Sequence, residues 1–214
     1  MRKITKVQNI KNTMINYAKI NSKEYILVIL IFVIGLFVGV MFVNNVSESK
    51  EEVITRYISG FIEKFKENPE IDKQELIASS MKSLILLAFI LWLAGTTIIG
   101  MPALLAIILF RGFCLGYTVS AITLTIGLWK GIIFCILALL LQNIFFIPAL
   151  LTTGVSSVKL YKSIINDRRR ENIELGIIKH TLICILMLGV FIISSFIENS
   201  ISISLLKFGI NFIG

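Results

Sequence analysis

The sequence predicts an all-α, polytopic helical membrane protein: about five transmembrane helices, plus an extracytoplasmic amphipathic helix between the first and second spans. Three observations carry that prediction. First, 56% of the 214 residues are hydrophobic and only 16% charged, against about 25% charged in soluble domains. Second, the chain contains no aspartate or glutamate from Leu76 to Asn166, a stretch too long and apolar for a soluble core. Third, charge is confined to segments between apolar runs, so the net charge of +8 reads as topology-setting rather than as a nucleic-acid face. No nucleic-acid partner is expected.

Each element follows in order. Residues 1–24 form a basic tail with Arg2, Lys3, Lys6, Lys11, Lys19 and Lys23. The apolar run Tyr25–Val43 is long enough to cross a hydrocarbon core of about 30 Å and lacks a small-residue cleavage site, which predicts an anchor rather than a cleaved signal. Residues 25–214 form one integral-membrane domain. Its loop 44–82 holds Glu48, Glu51, Glu52, Glu63, Glu67, Glu70, Asp72 and Glu75 among six bases. Val53, Ile54, Tyr57, Ile58, Phe61, Ile62 and Phe65 recur there at helical spacing. Ser49 with Glu52 fits a capping box, and Asn68-Pro69 stops the helix. A further helix starts near Asp72. The second span is placed at Met81–Ile99, the third at Ala103–Ile126 after the Gly100-Met101-Pro102 break, the fourth at Gly131–Leu151 and the fifth at Ile177–Ile197. Whether Gly100–Pro102 is a true turn or a re-entrant break stays open. Trp129-Lys130 marks an interface.

The basic tail and the basic loop 158–176 both belong on the cytoplasmic side. Five spans then put the N-terminus inside, the acidic loop outside and the C-terminus outside.

Within the spans, Arg111 is the one charge far from a span end. A buried arginine is a functional-site hypothesis by default, and snorkelling is the structural alternative. No acid in its own stretch pairs with it, which leaves backbone carbonyls, a lipid phosphate, or the amides of Gln142 and Asn143. Those two amides read as bonds between helices. Gly112, Gly116 and Ser120 make an extended small-residue face for close packing. Gly35/Gly39 and Gly127/Gly131 are shorter pairs of the same kind, and the latter crosses a turn. Cys114, Cys135 and Cys184 read as small apolar residues, and His180 as a structural histidine. No metal-ligand spacing and no HExxH, Gly-x-Ser-x-Gly, Walker or GxGxxG motif is present. No cofactor is expected.

These features in order resemble the stage II sporulation protein M family of endospore-forming bacteria. The local segments that carry the resemblance run from Phe110 to Gly116 and from Leu141 to Leu150. The wider family often has another polar residue at Arg111 and a more polar segment at Gln142-Asn143. The resemblance implies no catalysis. It implies a membrane scaffold of the engulfment machinery, in the mother-cell membrane at the sporulation septum, that recruits and positions the peptidoglycan hydrolases known as stage II sporulation proteins D and P. The partner-binding residues would be the seven apolar residues of the loop helix. A permease-like transporter subunit is the alternative, motivated by Arg111, the two amides and Pro102 and Pro148. An intramembrane enzyme would need a nucleophile–base pair built on the single histidine. Self-association into a homo-oligomer is left open.

Overall fold

A computed structural model describes residues 19–67, 73–166 and 170–197. The elements among them are α1 (Ser22–Asn44), α2 (Glu48–Glu67), α3 (Lys73–Thr96), α4 (Gly100–Ile126), α5 (Leu128–Asn166) and α6 (Arg170–Ile197), and no strand occurs among the described residues. Five of these helices carry a stretch long and apolar enough to cross a membrane; α2 does not. The protein is thus a multi-pass, all-α membrane protein. The N-terminal tail up to residue 18, Asp72 and the C-terminal tail from residue 198 lie outside the described residues.

Glycine contacts give the helix directions. Phe32 lies on Gly112, Leu36 on Gly116, Leu109 on Gly35 and Phe113 on Gly39, so residue numbers rise together and α1 runs parallel to α4. Helices α4 and α5 form an antiparallel hairpin around Gly127, whose φ of 88° requires glycine. Thr123 meets Gly131 and Ile108 meets Gly154 across it. Helix α6 returns along α5, with Phe191 on Phe146 at 5.1 Å between ring centroids and Gly176 under Leu160.

The bundle therefore has two chemically distinct ends. At the basic end, Glu24 at the start of α1 pairs with Lys162 near the end of α5 at 2.6 Å. There the Tyr25 and Thr152 hydroxyls also lie 3.1 Å apart. At the acidic end, Ser120 donates to Asn44 Oδ1 at 3.3 Å, and α2 joins α1 to α3. The core between the ends includes Val28, Phe32, Leu91, Leu104, Ile108, Leu150, Val155 and Phe191. Large apolar side chains such as Phe37, Phe110 and Leu186 instead face outward, as lipid-facing residues do. Because lipid is itself apolar, tight packing rather than water exclusion must hold such helices together.

Local chemistry moved several helix ends from their expected places. Helix α2 opens at Glu48, with the Ser47 carbonyl accepting the Glu51 N–H at 3.0 Å. That puts Ser47 at the cap, two residues before the Ser49 of the expected Ser49/Glu52 pair. The described part of α2 runs to Glu67, and Asn68-Pro69, expected to stop it, lies outside the described residues. Gly100–Pro102 does not stop a helix. It opens α4, where Pro102 sits in the first turn and lacks only an N–H that has no helical acceptor anyway. Thr97 Oγ1 takes the Gly100 N–H at 3.1 Å. Helices α3 and α4, of 24 and 27 residues, are each long enough to cross, so the break is a turn between two spans.

The fourth span belongs to the longest described helix. Its helix has 39 residues, about 58 Å at 1.5 Å per residue, and passes straight through Pro148 and Leu151. Its stretch Asn143–Ile165 is long and apolar enough to span; residues 137–142, inside the expected span Gly131–Leu151, have side chains outside the described residues. The segment after Pro148 looks too polar for a span, but its hydroxyls are satisfied within the helix. Thr152 donates to the Pro148 carbonyl at 2.7 Å, Thr153 to Ala149 at 3.0 Å and Ser157 to Thr153 at 3.0 Å. Much of the basic loop 158–176 is consequently helical, as the end of α5 and the start of α6.

Candidate functional site

Helix α2 carries the seven apolar residues on which partner binding was expected. The structure divides them. Ile54 and Ile58 are half-buried and face the acidic-end part of α4, where a cavity of about 380 Å³ is lined by Val53, Ile54, Tyr57, Ile58, Tyr117, Thr118 and Ala121. Val53 and Tyr57 remain 63% and 76% exposed. Phe61, Ile62 and Phe65 continue along α2, but their side chains lie outside the described residues. The helix thus spends part of its apolar face holding itself on the bundle and leaves another part uncovered. Its polar side carries the exposed Arg56–Glu52 pair at 2.8 Å, a contact worth well under about 1 kcal/mol in water.

Arg111 lies at the eleventh step of α4, about 17 Å from its start. Its guanidinium sits over the Phe146 ring, 5.3 Å from the centroid. Among the described residues it has no ion pair and no hydrogen bond. It shares a cavity of about 150 Å³ with Phe32, Cys114, Leu115, Thr118, Asn143, Phe146 and Ile147. Asn143 is therefore brought to the same place, while the side chain of Gln142 lies outside the described residues. Among the described residues, its partner is the face of an aromatic ring rather than an amide or a carbonyl. A contact of this kind is worth about 1 kcal/mol, less than the roughly 2.5–3.5 kcal/mol that an arginine costs at a span centre. The variant Arg111→Met should accordingly unfold in detergent at the same temperature as the parent or higher. A loss of about 2 kcal/mol in thermal unfolding would show that the guanidinium is bonded to something it cannot do without.

The small-residue face is matched by a second one. Gly112 and Gly116 approach the Phe32 and Leu36 carbonyls of α1, and Gly35 and Gly39 approach the Leu109 and Phe113 carbonyls of α4. The two faces are one seam, backbone against backbone, closed at the acidic end by Ser120 and Asn44. The Gly35/Gly39 pair carries as much of this seam as the longer run on α4, which sequence spacing alone ranked above it.

A cluster at the basic end escaped sequence reasoning. His180 is 1% exposed. Its Nδ1 lies 2.9 Å from Ser156 Oγ, and its ring packs against Gly95 of α3. Next to it on α6, Thr181 Oγ1 accepts from Trp92 Nε1 at 3.1 Å. Gly95 leaves room on α3 for His180 and Ser157. Cys184 Sγ packs 3.5 Å from Nε2. One histidine and its neighbour thus tie α6 to α3 and α5. The polar run Thr152–Ser157 was the available signal, since several hydroxyls in a span call for partners. Ser156 and His180 have the spacing of a nucleophile and base, but both are buried and joined between α5 and α6, an arrangement suited to holding helices.

With this geometry in place, comparison with known families becomes informative. The family model for stage II sporulation protein M matches residues 28–203. The chain belongs to that family. The match runs from within α1 through α6 and includes α2, the glycine seam and the His180 cluster, so the family assignment covers the described bundle apart from the first residues of α1. Searches of curated proteins and of solved structures gave no match. Family membership makes this a sporulation-related membrane protein.

Proposed function

We propose that the chain is a non-enzymatic membrane scaffold of the engulfment machinery that recruits and positions stage II sporulation proteins D and P for septal peptidoglycan remodelling. One observation carries the proposal: α2 is anchored on α4 through Ile54 and Ile58 while Val53 and Tyr57 stand exposed beside them. An apolar surface held in place on a rigid bundle suits docking, because little order is lost on binding. The expected orientation, with the basic end in the cytoplasm, puts this surface on the same side of the membrane as the cell wall. The cavity at Arg111, about 150 Å³, is small for a solute path, which favours the scaffold over the permease reading.

Because Ile58 helps anchor α2, the informative substitutions are at the exposed positions. Full-length Val53→Glu/Tyr57→Glu should insert normally, judged by protease protection. It should bind D and P at least about 30-fold more weakly than the parent, as loss of an interface anchor requires. Undiminished co-purification of both hydrolases with the inserted variant would refute this reading.

A further inference from the structure

Arg111 has no task in the scaffold as described so far. It stands about 17 Å from the start of α4 and about 22 Å from its end, so neither bilayer surface is close. Among the described residues it has no ion pair and no hydrogen bond, and the Phe146 ring is its one charge-stabilising contact. That ring offsets only part of the cost of holding a guanidinium at such depth. The chain's own acids are not placed to offset the rest. None of the thirteen falls beyond the third residue of any of the five spanning stretches. Those whose side chains lie outside the described residues, Asp167, Glu171 and Glu198 among them, occupy sequence positions at helix ends or between helices.

The Arg111 cavity is continuous with a larger space. It shares Leu115, Asn143 and Ile147 with a groove of about 400 Å³ between α4 and α5. That groove continues past Val119 to Ile132 and Ile136, towards the acidic end. Ile132 and Ile136 are 38% and 50% exposed, so it opens sideways from the bundle. No charged residue lines it. An apolar groove with one cation at its inner end suits a helix that is apolar except for one carboxylate. We infer that the α4–α5 groove receives a membrane-spanning helix of a different protein, and that an aspartate or glutamate midway along that helix pairs with Arg111. A second copy of this chain cannot serve, because none of its spanning stretches carries an acid midway. A lipid phosphate lies at the bilayer surface, whereas Arg111 is near the middle of α4. Opposite charges are tolerated together in lipid where either alone is expensive. The groove supplies contact area and the charge pair selects the partner. The site would choose partners within the membrane, independently of the docking surface on α2.

The test uses the full-length protein in phosphatidylcholine vesicles with synthetic spanning helices of leucine and alanine, both labelled for energy transfer. One helix has aspartate at its centre; the others have asparagine or leucine there. The parent should bind the aspartate helix at least about tenfold more tightly than the leucine helix, as a close charge pair does, and more tightly than the asparagine helix. Arg111→Met should lose that preference and Arg111→Lys should keep it. Val53→Glu/Tyr57→Glu should keep it too, which separates this site from the α2 surface. Equal binding of the three helices by the parent, or binding of none, overturns the proposal. So does a preference that survives Arg111→Met. The proposal also fails if phosphatidylglycerol vesicles abolish the preference, because an anionic lipid then holds the guanidinium. It fails too if the protein associates with itself in place of the helices. Circular dichroism confirms that each variant is folded.

Discussion

Gly112→Val should unseat α1 from α4 and leave the protein unable to hold its bundle in detergent. A Cβ at this position would meet the Phe32 carbonyl, and the next nearest atoms are also α1 backbone. A flexible side chain can move aside, but a helix backbone moves only as a whole. Overpacking in a core costs typically about 1–3 kcal/mol, and here the neighbour cannot yield by a rotamer change, so the upper part of that range is expected. Gly35→Val should do the same from the other side of the seam, because its Cβ would meet the Leu109 carbonyl. Gly189 provides the contrast. It is also helical, but nothing lies within 4 Å of its added Cβ. Gly189→Ala should be neutral or stabilising by up to about 1 kcal/mol from helix propensity. Thermal unfolding of the three variants in one detergent is the measurement. Equal behaviour of Gly112→Val and Gly189→Ala would show that the α1–α4 seam is not what holds these helices.

The second large effect is expected at the basic end. His180→Ala should destabilise the bundle by about 2–4 kcal/mol. Hydrogen bonds between helices in a membrane average only about 0.6 kcal/mol, so most of the loss comes from the hole left by a fully buried ring. The remainder comes from Ser156, whose hydroxyl loses its partner. Trp92→Phe removes the donor to Thr181 and part of the packing of a half-buried indole, and should cost about 1 kcal/mol. The order of the two variants in chemical or thermal unfolding is therefore predicted as well as the size. A His180→Ala protein as stable as its parent would mean that the cluster merely fills space.

The parts of the fold that were legible in the sequence were those set by composition and period. Five apolar runs gave five spans because crossing lipid demands length and apolarity irrespective of neighbours. The three- and four-residue spacing from Val53 to Phe65 gave α2 for the same local reason. Boundaries were less legible where a residue has two uses. Pro102 and Pro148 both break an isolated helix, but one occupies a first turn, where its missing N–H is harmless. The other lies inside α5, which continues past it to Asn166.

The candidate site shows the same division. The sequence proposed seven apolar residues on α2 as one face, and only packing on α4 separates Ile54 and Ile58, which anchor the helix, from Val53 and Tyr57, which remain available. Arg111 was recognised as a mid-span charge, but its neighbour Phe146 belongs to another helix and an ordinary phenylalanine gives no sign of lying under a guanidinium. His180 and Ser156 are 24 positions apart and meet because the α5–α6 hairpin folds them together.

By itself, then, the sequence determined that this is a helical protein of the membrane, with its acids in the loop around α2 and its bases gathered mainly in the tail and the α5–α6 segment. Those properties follow from the transfer of side chains between water and lipid, which each segment undergoes on its own. Only the tertiary structure decided which glycines face which backbone, that Val53 and Tyr57 of the α2 face are left uncovered, and that Lys159 and Lys179 share a cavity. Each of these is a relation between helices distant in the chain. Packing sets such relations one atom at a time, in a medium where no hydrophobic force distinguishes one apolar partner from another.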